Sequence, residues 1–248
     1  MTSRQEVVDY LDDLLNVGQY RDYCPNGLQV EGSNNIQHIV SGVTASQALI
    51  DAAIEQKADA LLVHHGYFWK GESPTITGIK RQRIQRLLES GINLLAYHLP
   101  LDGHTELGNN AQLARVLDFS IDEVTGESGL LYIGKPKQAC SGEALAAHIS
   151  DRLKRVPQHI SADKPIKRLA WCTGAAQSYI SEAAALGVDA FITGEISEQT
   201  VHIARETGIH FFAAGHHATE RYGAKALGEH LAGHFDLTHT FIDIDNPV

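Results

Sequence analysis

The sequence lacks the features that mark membrane-spanning, disulfide-bonded and secreted proteins. No apolar run approaches the ~20 residues that a bilayer-spanning helix needs. The N-terminal residues, from Met1 to Glu6, lead into a polar amphipathic stretch and not into an apolar signal core. The cysteines Cys24, Cys140 and Cys172 are far apart, and no C-x-x-C spacing exists, which excludes a zinc ribbon and a thioredoxin motif. We therefore expect free thiols in a cytoplasmic protein that has no contact with a membrane.

Positive charge is also scarce, with 20 Lys and Arg against 30 Asp and Glu, so that the formal net charge is -10. This balance argues against a protein that coats nucleic acid, because phosphate binding needs clustered Lys and Arg. It is compatible with a nucleotide in a pocket, where a metal can supply local positive charge. The one basic cluster comprises Lys80, Arg81, Arg83 and Arg86 on a predicted helix. A solvated face or an interface is the favoured interpretation of that cluster.

Several catalytic signatures are missing as well. The sequence contains no G-x-x-x-x-G-K-[ST] loop, no H-E-x-x-H, no G-x-S-x-G, and no G-x-G-x-x-G after a strand. A serine or cysteine nucleophile therefore has no supporting motif.

The pattern of apolar residues predicts helices that alternate with short buried strands. Helical spacing is found at residues 3–17, 46–56 and 109–117, and short apolar or β-branched runs at residues 36–43, 58–63 and 92–97. Continuous apolar runs of this length are typical of strands buried on both faces of a parallel sheet. The alternation predicts an α/β fold with parallel or mixed sheets flanked by helices.

The second half of the chain repeats the first. When residue n is aligned with residue n+130, Asp59-Ala60 meets Asp189-Ala190, and Ala45, Gln47, Ile50 and Ala53 meet Ala175, Gln177, Ile180 and Ala183. We predict two related α/β lobes, residues 1–125 and residues 126–248, with the C-terminal strand returning to the first lobe. The stretch 130–165 matches neither repeat, and either a β-rich start of the second lobe or a peripheral insertion explains it.

Metal-binding side chains follow four of the predicted strands. His64 and His65 follow the run 58–63, and His98 and Asp102 follow the run 94–97. In the second half, Glu195 follows a short apolar run at 190–193, and His216 and Glu220 follow another at 211–214. Ligands of open α/β sheets bind beyond the carboxyl ends of the strands, so these side chains are candidates for one site. A lone histidine at a strand end is more often a hydrogen-bonded core residue, and for His98 alone we would favour that interpretation. For Glu195 a gate, an orienting group and a catalytic acid or base remain open.

Imidazole and carboxylate groups together suit iron, zinc, manganese, nickel or cobalt. His216 and Glu220 are one helical turn apart, so both can face one point. His64 and His65 are adjacent, and each can reach a different ion. A carboxylate can bridge two ions ~3.5–4 Å apart. The sequence thus predicts a pair of divalent metal ions held by His64, His65, Asp102, His216 and Glu220.

Five segments together resemble the Nif-three-like family, in particular its bacterial YbgI group of GTP cyclohydrolase 1 type 2 homologues. They are Pro25 to Gly32, His64 to Gly71, Tyr97 to Asp102, Ile192 to Glu195 and Gly215 to Glu220. Gly42 to Ser46 and Leu107 to Asn110 match the family as well. The resemblance implies a Nif-three-like fold, a toroidal homohexamer and a dinuclear metal site. It also implies that the five predicted ligands correspond to those of the family, with Glu220 as the bridging carboxylate. His98 corresponds to a histidine beside the site, and direct ligation by His98 stays open.

Two functions follow from these observations. The first is a metal-dependent hydrolase that acts on a nucleotide or a related small molecule. In this interpretation Glu195 and His98 are catalytic groups that move the proton, and Tyr67, Trp69 and Lys70 contact the substrate. The second is a non-catalytic metal-binding or chaperone-like ring, which needs the same ligands and no substrate pocket. The resemblance implies a link of such a ring to DNA-damage tolerance.

Overall fold

The computed structural model describes residues 2–248, and their contacts divide the chain into two compact units. The first unit comprises Met1–Gly108 and Gly223–Asp245, and the second comprises Asn109–Tyr222 and Asn246–Val248. The predicted lobes 1–125 and 126–248 remain a prediction of domain organisation.

The first unit is built on a five-stranded mixed sheet. Its strands, in spatial order, are β13 (Thr238–Phe241), β4 (His38–Thr44), β5 (Ala60–His65), β6 (Asn93–Ala96) and β2 (Gly27–Val30). The first four run parallel and β2 is antiparallel to β6. Two short strands, β1 (Thr2–Ser3) and β3 (Asn35–Ile36), form a separate antiparallel pair. The helices are α1 (Arg4–Leu14), α2 (Gln47–Glu55), α3 (Gly78–Ser90), α4 (Leu99–Gly103) and the later part of α9 (His216–Phe235).

The second unit is built on a six-stranded mixed sheet. Its strands, in spatial order, are β7 (Ser120–Thr125), β8 (Leu131–Lys135), β10 (Leu169–Trp171), β11 (Ala190–Thr193), β12 (His210–Ala213) and β9 (Gln158–Ile160). Only β10, β11 and β12 run parallel to one another. The helices are α5 (Asn109–Val116), α6 (Gly142–Leu153), α7 (Ile180–Ala185), α8 (Glu198–Thr207) and the start of α9. Two mixed sheets flanked by helices confirm the predicted α/β class.

Local sequence signals explain where several elements begin and end. Ser3 caps α1 and forms a capping box with Glu6, which satisfies two backbone donors at the helix start. The predicted helix 3–17 ends earlier than expected because Asn16 adopts a left-handed conformation (φ 51°), and a 3₁₀ turn follows it. The central strand β5 is apolar from Ala60 to Val63, and all four of these residues are fully buried. Burial on both faces is what a continuous apolar run predicts.

The stretch 130–165 belongs to the second sheet. It supplies the strands β8 and β9 with helix α6 between them. Leu145, Ile149 and Leu153 of α6 pack into the core of the second unit beside Trp171. Of the two alternatives that the sequence left open, the β-rich start of the second lobe is therefore correct.

No helix within residues 2–248 combines the length and the apolar character that crossing a bilayer requires. The cytoplasmic location stays a prediction.

Candidate metal centre

His64 and His65 end strand β5, where the chain leaves the sheet. His64 is completely buried, and its Nδ1 lies 2.9 Å from the backbone oxygen of Tyr97. The Nδ1 of His65 lies 3.2 Å from the hydroxyl oxygen of Thr44, which ends the neighbouring strand β4. Parallel strands bring these ends to one edge of the sheet. Each ring is thus held through Nδ1 by an oxygen of an adjacent strand or of the residue that follows it.

His98 and Asp102 come from the loop and helix after β6. His98 precedes the first residue of α4, and Asp102 lies near the end of that short helix and is 7% exposed. The Nε2 of His64 lies 3.5 Å from Oδ1 of Asp102. His64, His65 and His98 each place one ring nitrogen within 4.8 Å of the others. Four of the predicted site residues therefore converge within the first unit.

The remaining three predicted residues converge within the second unit. His216 and Glu220 occupy successive turns at the start of α9, and Nε2 of His216 lies 3.0 Å from Oε2 of Glu220. Nδ1 of the same ring lies 2.7 Å from Oε1 of Glu195, which follows β11. The imidazole is thus held between two carboxylates, one from the same helix and one from the neighbouring loop.

The two carboxylates change the acidity of the ring. Burial lowers the pKa of His216, but the hydrogen bonds and negative charges of Glu220 and Glu195 outweigh burial and raise this pKa to about 9. In the metal-free protein the ring is therefore protonated at neutral pH. Its positive charge lies where a metal cation would also be stabilised.

Two glycines leave the space that these donors occupy. Gly174 has φ +68°, and a Cβ at this position would lie 2.0 Å from Oε1 of Glu220 and 3.3 Å from Nε2 of His216. A Cβ on Gly194 would lie 2.6 Å from the Cα of His216. Any larger residue would therefore displace the donor atoms.

All four candidate histidines share one arrangement, which is that Nδ1 faces an oxygen acceptor. The acceptors are the carbonyl of Tyr97 for His64, the hydroxyl of Thr44 for His65, and the carboxylates of Asp22 for His98 and Glu195 for His216. Metal-ligating histidines almost always donate their other ring N–H to such a group, which fixes the tautomer and the ring orientation. The arrangement is not confined to these residues, because Nδ1 of His38 faces the carbonyl of Gln56. At the candidate residues it coincides with clustered ring nitrogens and carboxylates. The donor set, its anchoring and the room left by Gly174 fit a divalent first-row metal ion.

The predicted substrate contacts fall into two groups. Tyr67 lies in the core of the first unit, 6% exposed, and its hydroxyl donates to the carbonyl of Ala45. The ring of Trp69 approaches His98 edge to face at 5.0 Å between centroids. Lys70 is exposed, and its backbone N–H donates to the carbonyl of Tyr23. Trp69 is thus half-buried beside His65 and His98, and Lys70 lies at the surface next to it in the chain.

Sequence reasoning missed three residues that shape the centre: Asp22, Thr44 and Gly174. Asp22 holds His98 from 76 residues away along the chain, and no local pattern connects the two. Thr44 lies in a segment, Gly42 to Ser46, whose similarity to the Nif-three-like family was a usable signal. Gly174 stands 130 residues after Thr44, so the internal repeat also pointed to it.

Comparison with known proteins gives a uniform result. The family model Duf34/NIF3 (NGG1p interacting factor 3) matches residues 2–247. A protein of Allochromatium vinosum called GTP cyclohydrolase 1 type 2 homolog is 55% identical over 249 residues, which are 100% of this chain and 98% of that protein. A protein of Escherichia coli K12 with the same name is 55% identical over 245 residues, with 98% of each chain covered.

The fold has a close counterpart among solved structures. The structure of protein ybgI, described as of unknown function, superimposes with a TM-score of 0.97 at 53% identity, and the match covers 100% of both chains. This agreement confirms the predicted Nif-three-like fold.

Proposed function

Since the chain belongs to the Duf34/NIF3 family, we propose that it binds two divalent metal ions with His64, His65, Asp102, His216 and Glu220. The ions are iron, zinc, manganese, nickel or cobalt, which imidazole and carboxylate ligands suit. The observation that carries the proposal is the shared anchoring of the histidines, each with Nδ1 directed at an oxygen. Glu220 is proposed as the carboxylate that both ions share.

We further propose that the protein with its metal ions bound is a hydrolase. Divalent ions in such a site supply Lewis acidity, which makes water a nucleophile near neutral pH. The side chains of this protein have separate tasks. Glu195 fixes the imidazole of His216 through a 2.7 Å hydrogen bond, and His98 lies close enough to His64 and His65 to exchange a proton at the same place.

A nucleotide is the proposed substrate. The curated relatives carry the name GTP cyclohydrolase 1 type 2 homolog. The half-buried Trp69 offers a planar ring for a base, and the exposed Lys70 offers a cation for a phosphate. Tyr67, two residues before Trp69, is buried with its hydroxyl bonded to the carbonyl of Ala45, so the surface contact with the substrate is assigned to Trp69 and Lys70. The basic cluster on α3 has less positive charge available for binding a nucleic acid than its sequence suggests. Arg86 forms an ion pair with Asp51, and Lys80 forms one with Glu72.

Metal analysis tests the site directly. Protein purified without added metal, then loaded with each of the five ions in turn, is expected to retain two ions per chain after desalting. Glu220→Ala is expected to retain fewer than one, because a shared ligand is lost from both positions. His202→Ala, which removes an exposed histidine of α8, is the matched control and should retain two. Two ions in the Glu220→Ala variant would contradict the proposed site.

Turnover is tested separately. Metal-loaded protein is incubated with GTP, GMP and guanosine, and products are followed by chromatography. Hydrolysis should require metal and should disappear in Glu220→Ala. Hydrolysis that persists in this variant would contradict the hydrolase, and two bound ions without turnover of any nucleotide would favour the non-catalytic ring.

The toroidal homohexamer that the resemblance implies is also a proposal. Sedimentation equilibrium of the purified chain is expected to give six times the 27.0 kDa subunit mass. A monomeric or dimeric mass across the accessible concentration range would contradict it.

A further inference from the structure

Asp22 has a buried carboxylate whose acceptor positions are all in use. Its side chain is 4% exposed. Oδ1 accepts from the backbone N–H of Tyr23 at 2.6 Å and from Nδ1 of His98 at 2.6 Å. Oδ2 accepts from the side-chain amide of Asn26 at 2.8 Å and from the backbone N–H of Leu99 at 2.9 Å. Four donors therefore fix this carboxylate in one orientation.

Saturation of the carboxylate excludes a competing interpretation. Asp22, Cys24 and His98 also bring three donor atoms within 4.8 Å of one another, as a separate metal site would. The four hydrogen bonds leave Asp22 no well-placed lone pair for an ion. Burial raises the pKa of the Cys24 thiol to about 12, so this group stays protonated. The role of Asp22 is therefore exercised through His98.

The ring of His98 is held from several sides. Its backbone N–H donates to Oδ1 of Asn26 at 2.7 Å, and Trp69 and Tyr23 approach the ring edgewise with centroids at 5.0 and 6.5 Å. A carboxylate accepts hydrogen bonds and does not donate them, so the shared proton belongs to Nδ1 of the histidine. In a neutral imidazole the lone pair is then on Nε2.

We propose that Asp22 is a positioning residue that keeps the proton of His98 on Nδ1, so that Nε2 accepts a proton during the reaction of the centre. The inference rests on the proposed function, because the proton comes from the attacking water. As the water oxygen bonds to the electrophilic atom of the substrate, its O–H bond breaks, an N–H bond forms at Nε2, and the imidazolium is stabilised by the carboxylate of Asp22. The bond from the electrophilic atom to the leaving atom then breaks, and its electron pair stays on the leaving atom. The proton then passes from Nε2 to the leaving atom of the substrate, which restores the neutral ring.

Substitution of Asp22 by asparagine has a defined expected consequence. Each oxygen of Asp22 faces two donors, but only Nδ1 of His98, on Oδ1, can become an acceptor by a change of tautomer. The oxygen of an Asn side chain is therefore expected at the position of Oδ2. The bond from the backbone N–H of Tyr23 is lost, and the Asn side chain keeps those from Asn26 and Leu99. Its NH₂ group then faces Nδ1 of His98, which has to become the acceptor. The proton of the neutral ring moves to Nε2, and the lone pair that the reaction needs is lost. Asparagine in place of the orienting aspartate of a serine protease changes the tautomer in the same way.

The experiment reads the tautomer and the metal content as well as turnover. Long-range ¹H–¹⁵N correlation spectra are recorded on protein labelled with ¹⁵N-histidine, near pH 8, and the His98 signals are assigned from their loss in His98→Gln. Wild type should show the proton on Nδ1, and Asp22→Asn should show it on Nε2. Asp22→Asn should retain two ions, and its turnover should fall by about 10²-fold or more, mainly in kcat.

Asp12→Asn is the matched control, because Asp12 accepts the hydroxyl of Tyr97 at 2.9 Å in the same unit and does not contact His98. It should leave the His98 tautomer and turnover unchanged. A His98 proton that stays on Nδ1 in Asp22→Asn would overturn the inference, as would loss of bound metal from this variant. The tautomer is also measured in metal-free protein. If the wild-type protein does not bind metal, the proposed function is refuted. If the His98 tautomer of the metal-free protein does not respond to Asp22→Asn, the inference about Asp22 is refuted. The two results are therefore distinguishable.

Discussion

Asp59 in the first unit and Asp189 in the second stand 130 residues apart and make the same hydrogen bonds. Oδ2 of Asp59 accepts from the backbone N–H groups of Gln37 and His38, and Oδ2 of Asp189 accepts from those of Lys167 and Arg168. In each unit the aspartate precedes a central strand, β5 or β11, and joins it to the start of the preceding strand. The framework that the repeat predicts is therefore present in both units at the level of individual bonds.

The two units share these aspartate hydrogen bonds but differ in the residues at the carboxyl ends of β5 and β11. His64 and His65 end β5, while the corresponding positions after β11 hold Gly194 and Glu195. The first pair supplies candidate ligands, and the second supplies space beside His216 and a carboxylate that anchors it. A repeated framework can thus carry different chemistry at equivalent positions, because the hydrogen bonds of Asp59 and Asp189 lie at the opposite ends of these strands.

The largest effect is expected when alanine replaces Gly174. Gly174 and Gly187 both have positive φ (+68° and +69°), so alanine costs each about 1 kcal/mol or more in strain. Only at Gly174 does the new Cβ also meet Oε1 of Glu220, at 2.0 Å, whereas nothing lies within 4 Å at Gly187. Elemental analysis should find at most one ion in Gly174→Ala and two in Gly187→Ala. Equal metal content in the two variants would show that the space beside Glu220 is not needed.

The next effect concerns the raised pKa of His216 in metal-free protein. This pKa is about 9 in the folded chain and about 6.5 in the unfolded chain, so protonated His216 stabilises the folded state. The stabilisation is complete below pH 6.5 and is lost as pH rises through 9. It amounts to at most roughly 3 kcal/mol at about 1.4 kcal/mol per pKa unit. Urea unfolding between pH 6 and 10 should show this loss in the second unit.

His216→Gln is the matched variant for that titration, because its amide keeps hydrogen bonds without a titrating proton. Its unfolding free energy should change less over the same pH range. A wild-type stability that is flat from pH 6 to 10 would contradict the raised pKa.

Asp59 and Asp189 allow the two frameworks to be compared at the same point. Replacement of either by alanine removes an acceptor from two backbone donors and should cost about 1–3 kcal/mol. Asp189→Ala should cost slightly more, because Lys164 lies 3.9 Å from this carboxylate. Hydrogen exchange of β5 and β11 amides reports the two units separately. Asn at either position keeps one oxygen acceptor and should recover most of the lost stability. If either alanine variant instead speeds exchange in the unit that does not contain the substitution, the two aspartates do not play equivalent roles.

The smallest effect lies at the edge strand β9. Burial and the neighbouring His210 lower the pKa of His159, whose Nε2 lies 3.1 Å from Nδ1 of His210. The folded state therefore resists protonation, and stability falls as pH drops below about 6.5. Protection factors of the β9 amides, which correct the exchange rates for their intrinsic pH dependence, should fall between pH 7 and 5. His159→Phe, which preserves the stacking on Phe212 at 4.3 Å, should show less of this change. If the effect of low pH on the β9 amides is the same in His159→Phe as in wild type, a group other than His159 causes it.

Much of the fold could be predicted from the sequence because its elements follow local rules. The apolar runs of β5, β6 and β11 and the helical spacing of α1 and α2 are signals within single segments, and the structure has an element at each. The end of α1 was predicted too late, because the left-handed conformation of Asn16 depends on what the chain does next. The strands β7, β8 and β9 had no periodic signal that set them apart from an insertion.

The order of the elements, the internal repeat and the polar residues after four strands were determined by the sequence alone, since each depends on neighbours within a few residues. The tertiary structure decided which oxygen faces each Nδ1, that Glu195 contacts His216, and that Asp22 contacts His98 across 76 residues. Tautomers and pKa values follow from distances of about 3 Å between segments remote along the chain. Only folding determines those distances, so the chemistry of the centre is not readable from spacing.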